Sequence, residues 1–358
     1  MYSRLRPFLF RLDPERAHSL TLAALKWAGN SPISNLLRAA FVLHDPRLEV
    51  EAFGLRFANP VGLAAGYDKN GIALRGLSCL GFGHVEAGTV TRLPQAGNPR
   101  PRLHRVPEAG ALVNSMGFPN AGVEALKVES GRWNVKGEVR VGINIGKGKD
   151  TPLEKAADDY CALLRQVHAR ADYIAINVSS PNTLGLRQLQ GRAFIEDLLK
   201  AVAAERDRLT PRAPLLVKIA PDLTESEIDD VIAAVTARGV DGVIATNTTV
   251  SRAGAPARAA DLKGGLSGRP LKARATEIIR YIAQRTGGRL PIIGVGGIAS
   301  AADALEKLRA GACLVQIYTG LIYAGPGLAR QINAGLLRAC EAEGLKSVSD
   351  LSPALAAA

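Results

Sequence analysis

The chain is poor in the residues that staple or metallate a fold. Its 358 residues hold four cysteines (Cys79, Cys161, Cys313, Cys340), scattered and with no Cys-x-x-Cys pair. That excludes a disulfide framework, an iron–sulfur cluster and a zinc ribbon, and it suits a reducing compartment. The five histidines (His18, His44, His84, His104, His168) show no ligand spacing, so no metal site is expected. No apolar run reaches the ~18 residues that a membrane-crossing helix needs. The first residues do not read as a secretory leader, because Asp13, Pro14 and Glu15 interrupt them before any long apolar stretch. Acidic residues are in short supply: 45 Lys+Arg against 33 Asp+Glu gives 45 − 33 = +12. Such an excess suits nucleic acid, yet no zinc-finger, RNP or helix-turn-helix signature accompanies it, and no nucleic-acid partner is expected. With 47% hydrophobic and 22% charged residues, disorder, coiled coil and fibre are excluded as well.

What is present falls into unequal parts. Asp13-Pro14 is a helix start, Asp as N-cap and Pro in the first turn, and Gly29-Asn30 ends that helix. Ser31-Pro32 starts a second helix carrying Ile33, Leu36, Leu37, Ala40 and Phe41. Residues 1–40 carry six Lys/Arg and two acids, 6 − 2 = +4. A basic amphipathic hairpin has two readings, a cap on the core or a surface lying in a membrane interface. The residues alone leave both open.

From about residue 60 apolar runs alternate with helical periodicity. Strands are expected at 61–65, 85–90, 139–145, 173–178, 215–219, 243–246, 292–295 and 314–318. Helices are expected at 72–80, 121–129, 153–168, 194–209, 225–238, 273–285, 301–309 and 328–343, with a small hairpin over 49–57 closing one end. Continuous apolar strands alternating with amphipathic helices imply a parallel sheet covered on both faces, and eight units close into a (β/α)₈ TIM barrel. The organisation expected is a helical hairpin at 1–42, the barrel at 43–345 and a C-terminal tail at 346–358, frayed from 354 onward.

Active sites of such barrels lie at the C-terminal ends of the strands. There the sequence places Gly66, Asp68, Lys69, Thr89, Asn144, Asn177, Ser180, Asn182, Lys218, Thr246, Asn247, Thr248, Gly297, Tyr318 and Thr319. The glycine turns after strands seven and eight offer backbone N–H groups to a phosphate, and Gly264–Pro270 reads as a third such loop. Asn and Thr at strand ends also cap helices, and Asp68 is expected as a cap or a partner of Lys69. Lys69 and Lys218 would suit a Schiff-base aldolase, whereas the amide-rich surroundings suit a planar ligand bearing a carboxylate.

The stretches Leu63-Ala-Ala-Gly-Tyr-Asp-Lys-Asn-Gly71, Asn114-Ser-Met-Gly-Phe118, Asn177-Val-Ser-Ser-Pro-Asn-Thr183, Lys218-Ile-Ala-Pro-Asp222, Ala245-Thr-Asn-Thr-Thr249, Gly264-Gly-Leu-Ser-Gly-Arg-Pro270 and Gly294-Val-Gly-Gly-Ile298 resemble the motifs of dihydroorotate dehydrogenases. With the N-terminal hairpin they resemble the quinone-dependent class 2 branch. The resemblance implies an FMN enzyme of pyrimidine synthesis that oxidises dihydroorotate to orotate and passes the electrons to ubiquinone. It implies that Ala65, Gly66, Thr89, Asn144, Asn177, Lys218 and Thr246 touch the flavin, and that Gly268, Gly297, Tyr318 and Thr319 hold its phosphate. Lys69, Asn114, Ser115, Met116, Gly117, Phe118, Asn177, Asn182, Asn247 and Thr248 are implied for the substrate, and Ser180 for the base. Thr183 and Phe118 take the positions of a proton path, His18 and Arg105 those of quinone contacts. The family often carries Arg where this chain has Ser115, so no side-chain contact is expected there. A monomer bound peripherally at the cytoplasmic face of the cell inner membrane is the form the resemblance implies.

Overall fold

In the computed structural model, residues 2–127 and 139–356 are described. Three helices come first: α1 (Tyr2–Arg11), α2 (Pro14–Gly29) and α3 (Ile33–Phe41). Asp13 caps α2 as expected, its carboxylate accepting from the N–H of Glu15 and of Arg16. The sequence reading has no counterpart of α1. Pro7 lies inside that helix and looks like a breaker, because it removes one backbone donor and crowds the preceding turn. The helix is held from outside instead: Tyr2 donates to Ile322 O at 2.6 Å and Arg6 to Tyr323 O at 3.0 Å.

A hairpin of β1 (Val50–Ala52) and β2 (Leu55–Phe57) follows, antiparallel and turned at Phe53-Gly54, both with positive φ. Eight parallel strands then close the barrel: β3 (Val61–Leu63), β4 (His84–Val90), β7 (Arg140–Ile145), β8 (Tyr173–Asn177), β9 (Leu215–Ile219), β10 (Gly242–Ala245), β12 (Ile292–Val295) and β13 (Leu314–Ile317). β13 returns to pair with β3, so the sheet has no free edge. Seven of the eight barrel strands are buried at every residue; the exception is β7, whose first residue, Arg140, is half-buried. Layers from both faces exclude water from them, which is why they read as largely apolar runs. Around them lie α4 (Leu74–Ser78), α5 (Ala156–Val167), α6 (Arg192–Arg206), α7 (Glu225–Ala237), α8 (Lys272–Thr286), α9 (Ala301–Arg309) and α11 (Leu328–Glu343).

Three regions depart from expectation. The helix expected at 121–129 is a single 3₁₀ turn, Val123–Ala125, over its described part, and residues 128–129 lie outside the described residues. The connection after β4 instead carries β5 (Leu103–Val106) and β6 (Ala111–Asn114), and β6 pairs with both β5 and β11 (Gly265–Gly268) at the centre of a three-stranded antiparallel sheet. The segment read as a phosphate loop is therefore a strand, and four residues holding two glycines give no alternation by which to recognise it. Finally, the residues expected to fray from 354 onward belong, over their described part, to a last short helix, α12 (Pro353–Ala356), reached through a 3₁₀ turn at Val348–Leu351 whose Val348 and Leu351 are buried. A further short helix, α10 (Thr319–Ala324), follows β13 directly.

At the end of the barrel away from the loops so far described, His84 packs edge-on against Phe57 and Tyr173, at 5.5 and 6.3 Å between centroids. It is fully buried, and neither ring nitrogen has a hydrogen-bond partner.

Candidate active site

Strand register assembles the site. Gly88 pairs with Asn144 across β4 and β7, and Asn177 with Lys218 across β8 and β9. Residues from four neighbouring strands thus reach one level at the same barrel end. Gly88 has φ 108°, and a Cβ there would come within 2.3 Å of Asn144 O, so only glycine permits this close approach. At that level the amides interlock. Asn177 Nδ2 donates to Thr89 Oγ1 at 2.9 Å and to Asn144 Oδ1 at 3.1 Å, and Asn247 Nδ2 donates to Ser179 Oγ at 3.0 Å.

A cleft opens above these amides, concave and lined by both apolar and polar groups, as small-molecule sites are. Of the residues expected to touch flavin, Ala65, Gly66, Thr89, Asn177, Lys218 and Thr246 line it, and so do Gly268, Gly297, Tyr318 and Thr319. Asn144 stands behind the wall, fully buried and bonded to Thr89 and Asn177. Of the residues expected to hold substrate, Lys69, Asn114, Met116, Gly117, Phe118, Asn182, Asn247 and Thr248 line the same cleft. Ser115 does not; its backbone N–H donates to Arg102 O and its carbonyl accepts from Asn98. Gly117 and Phe118 both have positive φ, 68° and 53°, and a phenylalanine held there is backbone strain of the kind found at ligand sites.

Ser180 lines the cleft, and its Oγ accepts from the Asn182 N–H at 3.2 Å. Its loop is pinned by Arg187, which donates to Ser179 O at 3.1 Å and Thr248 O at 2.8 Å and pairs with Asp222 at 2.6 Å. Beyond Ser180 lies Thr183, whose Oγ1 is buried without a partner. Asp68 is a cap, accepting from the N–H of Ile72 and Ala73 at 3.0 and 2.7 Å, and burial raises its carboxyl. Lys69 donates to Gly66 O at 2.6 Å, and desolvation lowers its ammonium to about 8.

The cleft continues to the N-terminal helices, where Glu15 and His18 of α2 form part of its lining, with Leu103 and Leu112 of the β5–β6 hairpin opposite. Desolvation first, then the nearby Lys69 charge, holds His18 down at about 4. The rings of His18 and Tyr67 meet edge-on at 5.1 Å, and those of Tyr67 and Tyr318 at 6.0 Å, so a file of rings joins α2 to the barrel mouth. Arg105 lies outside the lining. It staples the α1–α2 junction, donating to Leu12 O at 2.8 Å with its guanidinium 4.7 Å above the Phe10 ring. Arg102, almost fully buried, ties α2 to the mouth by donating to Glu15 Oε1 at 3.0 Å.

Glu15, Arg102, Glu86 and Gln316 were not foreseen. The last two carried a readable signal, each being one polar residue inside an otherwise apolar strand, Val85-Glu-Ala87 and Val315-Gln-Ile317. Glu15 and Arg102 offered none, since both sit in charged surroundings typical of a surface.

A family model described as Dihydroorotate dehydrogenase matches residues 47–339. The chain is 48% identical over 359 residues to a dihydroorotate dehydrogenase (quinone) of Roseiflexus sp. (strain RS-1), covering all of this chain and 99% of that protein. It is 52% identical over 343 residues to the corresponding protein of Acidithiobacillus ferrooxidans, covering 92% of this chain and 93% of that one. Among solved structures, the Eimeria tenella DHODH in complex with ferulenol superposes with a TM-score of 0.87 at 37% identity, over 96% of this chain and 98% of that one.

Proposed function

Because this chain belongs to the dihydroorotate dehydrogenase family, we propose that it oxidises (S)-dihydroorotate to orotate in pyrimidine synthesis, with FMN bound in the cleft, Ser180 as the base and ubiquinone as the final acceptor. The observation that carries the reading is the continuity of one cleft from the amide-lined barrel mouth to His18 on α2. A site for chemistry and a route towards a lipid-borne oxidant then share one space.

The residues present fit FMN. Gly296, Gly297, Thr319 and Gly320 line the cleft, and among the described residues none of their N–H groups donates to a protein group. Such a nest of free donors at the start of a helix suits a phosphate. FMN bound there supplies what no side chain can, a two-electron acceptor for hydride. Lys218, Thr89 and Asn177 would hold the ring, with Asn144 supporting them from behind, and Thr246, Gly268, Gly297, Tyr318 and Thr319 the rest of the cofactor.

Lys69 is suited to the substrate carboxylate: an ammonium already stripped of water gains more from an anion than a solvated one. Asn114, Asn182, Asn247 and Thr248 offer both donors and acceptors to a ring bearing two carbonyls and two N–H groups. Ser180 Oγ takes the ring C5 proton, and its own hydroxyl proton passes on towards Thr183, whose buried Oγ1 has no hydrogen-bond partner and is free to accept it, with Phe118 screening the path. A hydroxyl is a weak base in water, so this transfer depends on the dry loop that Arg187 pins.

His18 borders the approach for the quinone, and Arg105 braces the α1–α2 junction beside it. Leu5, Phe8, Leu20, Trp27 and Leu36 stand exposed on the three N-terminal helices, Leu36 at 70%, beside exposed Arg4, Arg11, Arg16 and Lys26. Apolar side chains interleaved with cations are what an anionic lipid surface takes up, and no helix of the described residues is long and apolar enough to cross a membrane. We therefore read residues 1–42 as a peripheral anchor at the inner face of the cell membrane, carried by a monomer. Dihydroorotate oxidation in mild detergent, with a ubiquinone analogue, fumarate and NAD offered separately, tests the whole reading. Turnover with the quinone alone is expected; turnover only with fumarate or NAD would leave the barrel chemistry and remove the quinone route.

A further inference from the structure

Beneath the cleft, three barrel strands contribute polar side chains with no exposure that meet one another: Glu86 from β4, Asn144 from β7 and Gln316 from β13. The Glu86 carboxylate accepts from Asn144 Nδ2 at 2.7 Å, from Gln316 Nε2 at 2.8 Å and from Tyr173 OH at 3.2 Å. Its Oε1 also lies 3.8 Å from Lys218 Nζ. A carboxylate in a barrel core is costly unless donors surround it. The surrounding donors offset that cost without accounting for the presence of a charge, and nothing in the reaction above uses Glu86.

An ionised carboxylate only accepts, and that restriction propagates. Asn144 has to turn its NH₂ to Glu86, so its Oδ1 faces Thr89 and Asn177. Asn177 therefore commits its own NH₂ to Asn144 and Thr89, and its Oδ1 is left to accept from the Ser179 N–H at 3.2 Å. Gln316 likewise gives its NH₂ to Glu86. Its Oε1 is left buried with no donor, on a residue that lines the cleft, and such an acceptor is completed by an N–H from whatever occupies the cleft.

We propose that Glu86 is a positioning residue that sets which atoms of the cleft wall donate and which accept, through Asn144 and Gln316, and balances the charge of Lys218. The inference rests on the reading of this cleft as the FMN site. Without the carboxylate both amides are free to turn over, and Lys218 stands uncompensated beside the flavin, which favours the reduced, more negative cofactor.

The test compares full-length wild type, E86Q and E86D, each reconstituted with FMN, by FMN dissociation constant and by midpoint potential from dye equilibration. E86Q is expected to bind FMN about tenfold more weakly or worse and to show a raised potential, with E86D, which keeps the charge, between it and wild type. A packing role predicts the reverse order, because Gln fills the volume of Glu and Asp leaves a hole. Wild-type affinity and potential in E86Q, or greater impairment in E86D than in E86Q, overturns the inference. If E86Q does not fold, Q316L removes the oriented acceptor instead, and unchanged FMN affinity and potential in it overturns the inference equally. Failure of wild type to bind FMN overturns the FMN reading itself.

Discussion

His84 makes the pH dependence of stability calculable at one residue. It is fully buried between Phe57 and Tyr173, both ring nitrogens lack partners, and burial alone holds it down from 6.5 to about 3. In the unfolded chain the imidazole takes up a proton as pH falls through 6.5, whereas in the folded chain it stays neutral until about pH 3. The unfolded state then binds more protons, so stability is whole above pH 6.5, declines below it, and the loss is complete near pH 3. Each pH unit in that window costs about 1.4 kcal/mol, or about 2 kcal/mol between pH 6.5 and 5. His84→Phe and His84→Leu remove the proton site while keeping an apolar side chain. Urea unfolding at pH 7, 6 and 5 should show both variants losing about 2 kcal/mol less than wild type over that range. Packing changes displace a variant's stability equally at every pH, so the slope isolates the proton. His18, also lowered, to about 4, contributes the same background slope to all three proteins. Parallel pH profiles in wild type and variants would refute the reasoning.

Other consequences are equally direct. With its ammonium at about 8, Lys69 loses its proton above that pH in the free enzyme, so kcat/KM for dihydroorotate should fall about tenfold per unit above pH 8, and Lys69→Met should abolish that limb together with most of the binding. Ser180→Ala should slow flavin reduction on the order of 10²–10⁴-fold in stopped flow, while orotate binding changes little; equal losses in both would remove Ser180 from the base role. Glu15→Gln breaks the pair with buried Arg102 and should loosen α2, giving faster amide exchange over residues 14–29 and poorer turnover with quinone than with a small soluble oxidant. Unaltered exchange there would mean that the pair does not dock the helix.

Most of the barrel was readable because its strands carry little but apolar side chains, as in Leu215–Ile219 and Ile292–Val295, while helices such as Leu328–Glu343 keep one polar face. The polar residues at strand ends were readable for the same reason, since Asn177 or Thr246 interrupts a buried run at its mouth. Harder were elements stabilised only by distant partners. α1 depends on carbonyls of residues 322 and 323, and β11 is a strand only because β6, remote in sequence, lies beside it. Arg187 and Arg102 look like surface cations in the sequence, and their roles come from carbonyls and carboxylates that the fold brings to them.

The return of β13 to pair with β3 also governs how the protein is born. β3 begins at Val61 and β13 at Leu314, so at ~5–20 residues per second a ribosome takes roughly 10–50 s to deliver the strand that closes the ring. Throughout that interval the nascent chain carries two unpaired sheet edges, bare backbone on which a neighbouring chain can add. The free donors at Gly296–Gly297 and Thr319–Gly320 emerge just before and just after that strand, with α11 and α12 still to follow. A chain truncated anywhere before the eighth strand therefore lacks both a sealed sheet and the full set of cleft donors, and it meets the cell's chaperones and proteases as an open fragment rather than as a weakened enzyme.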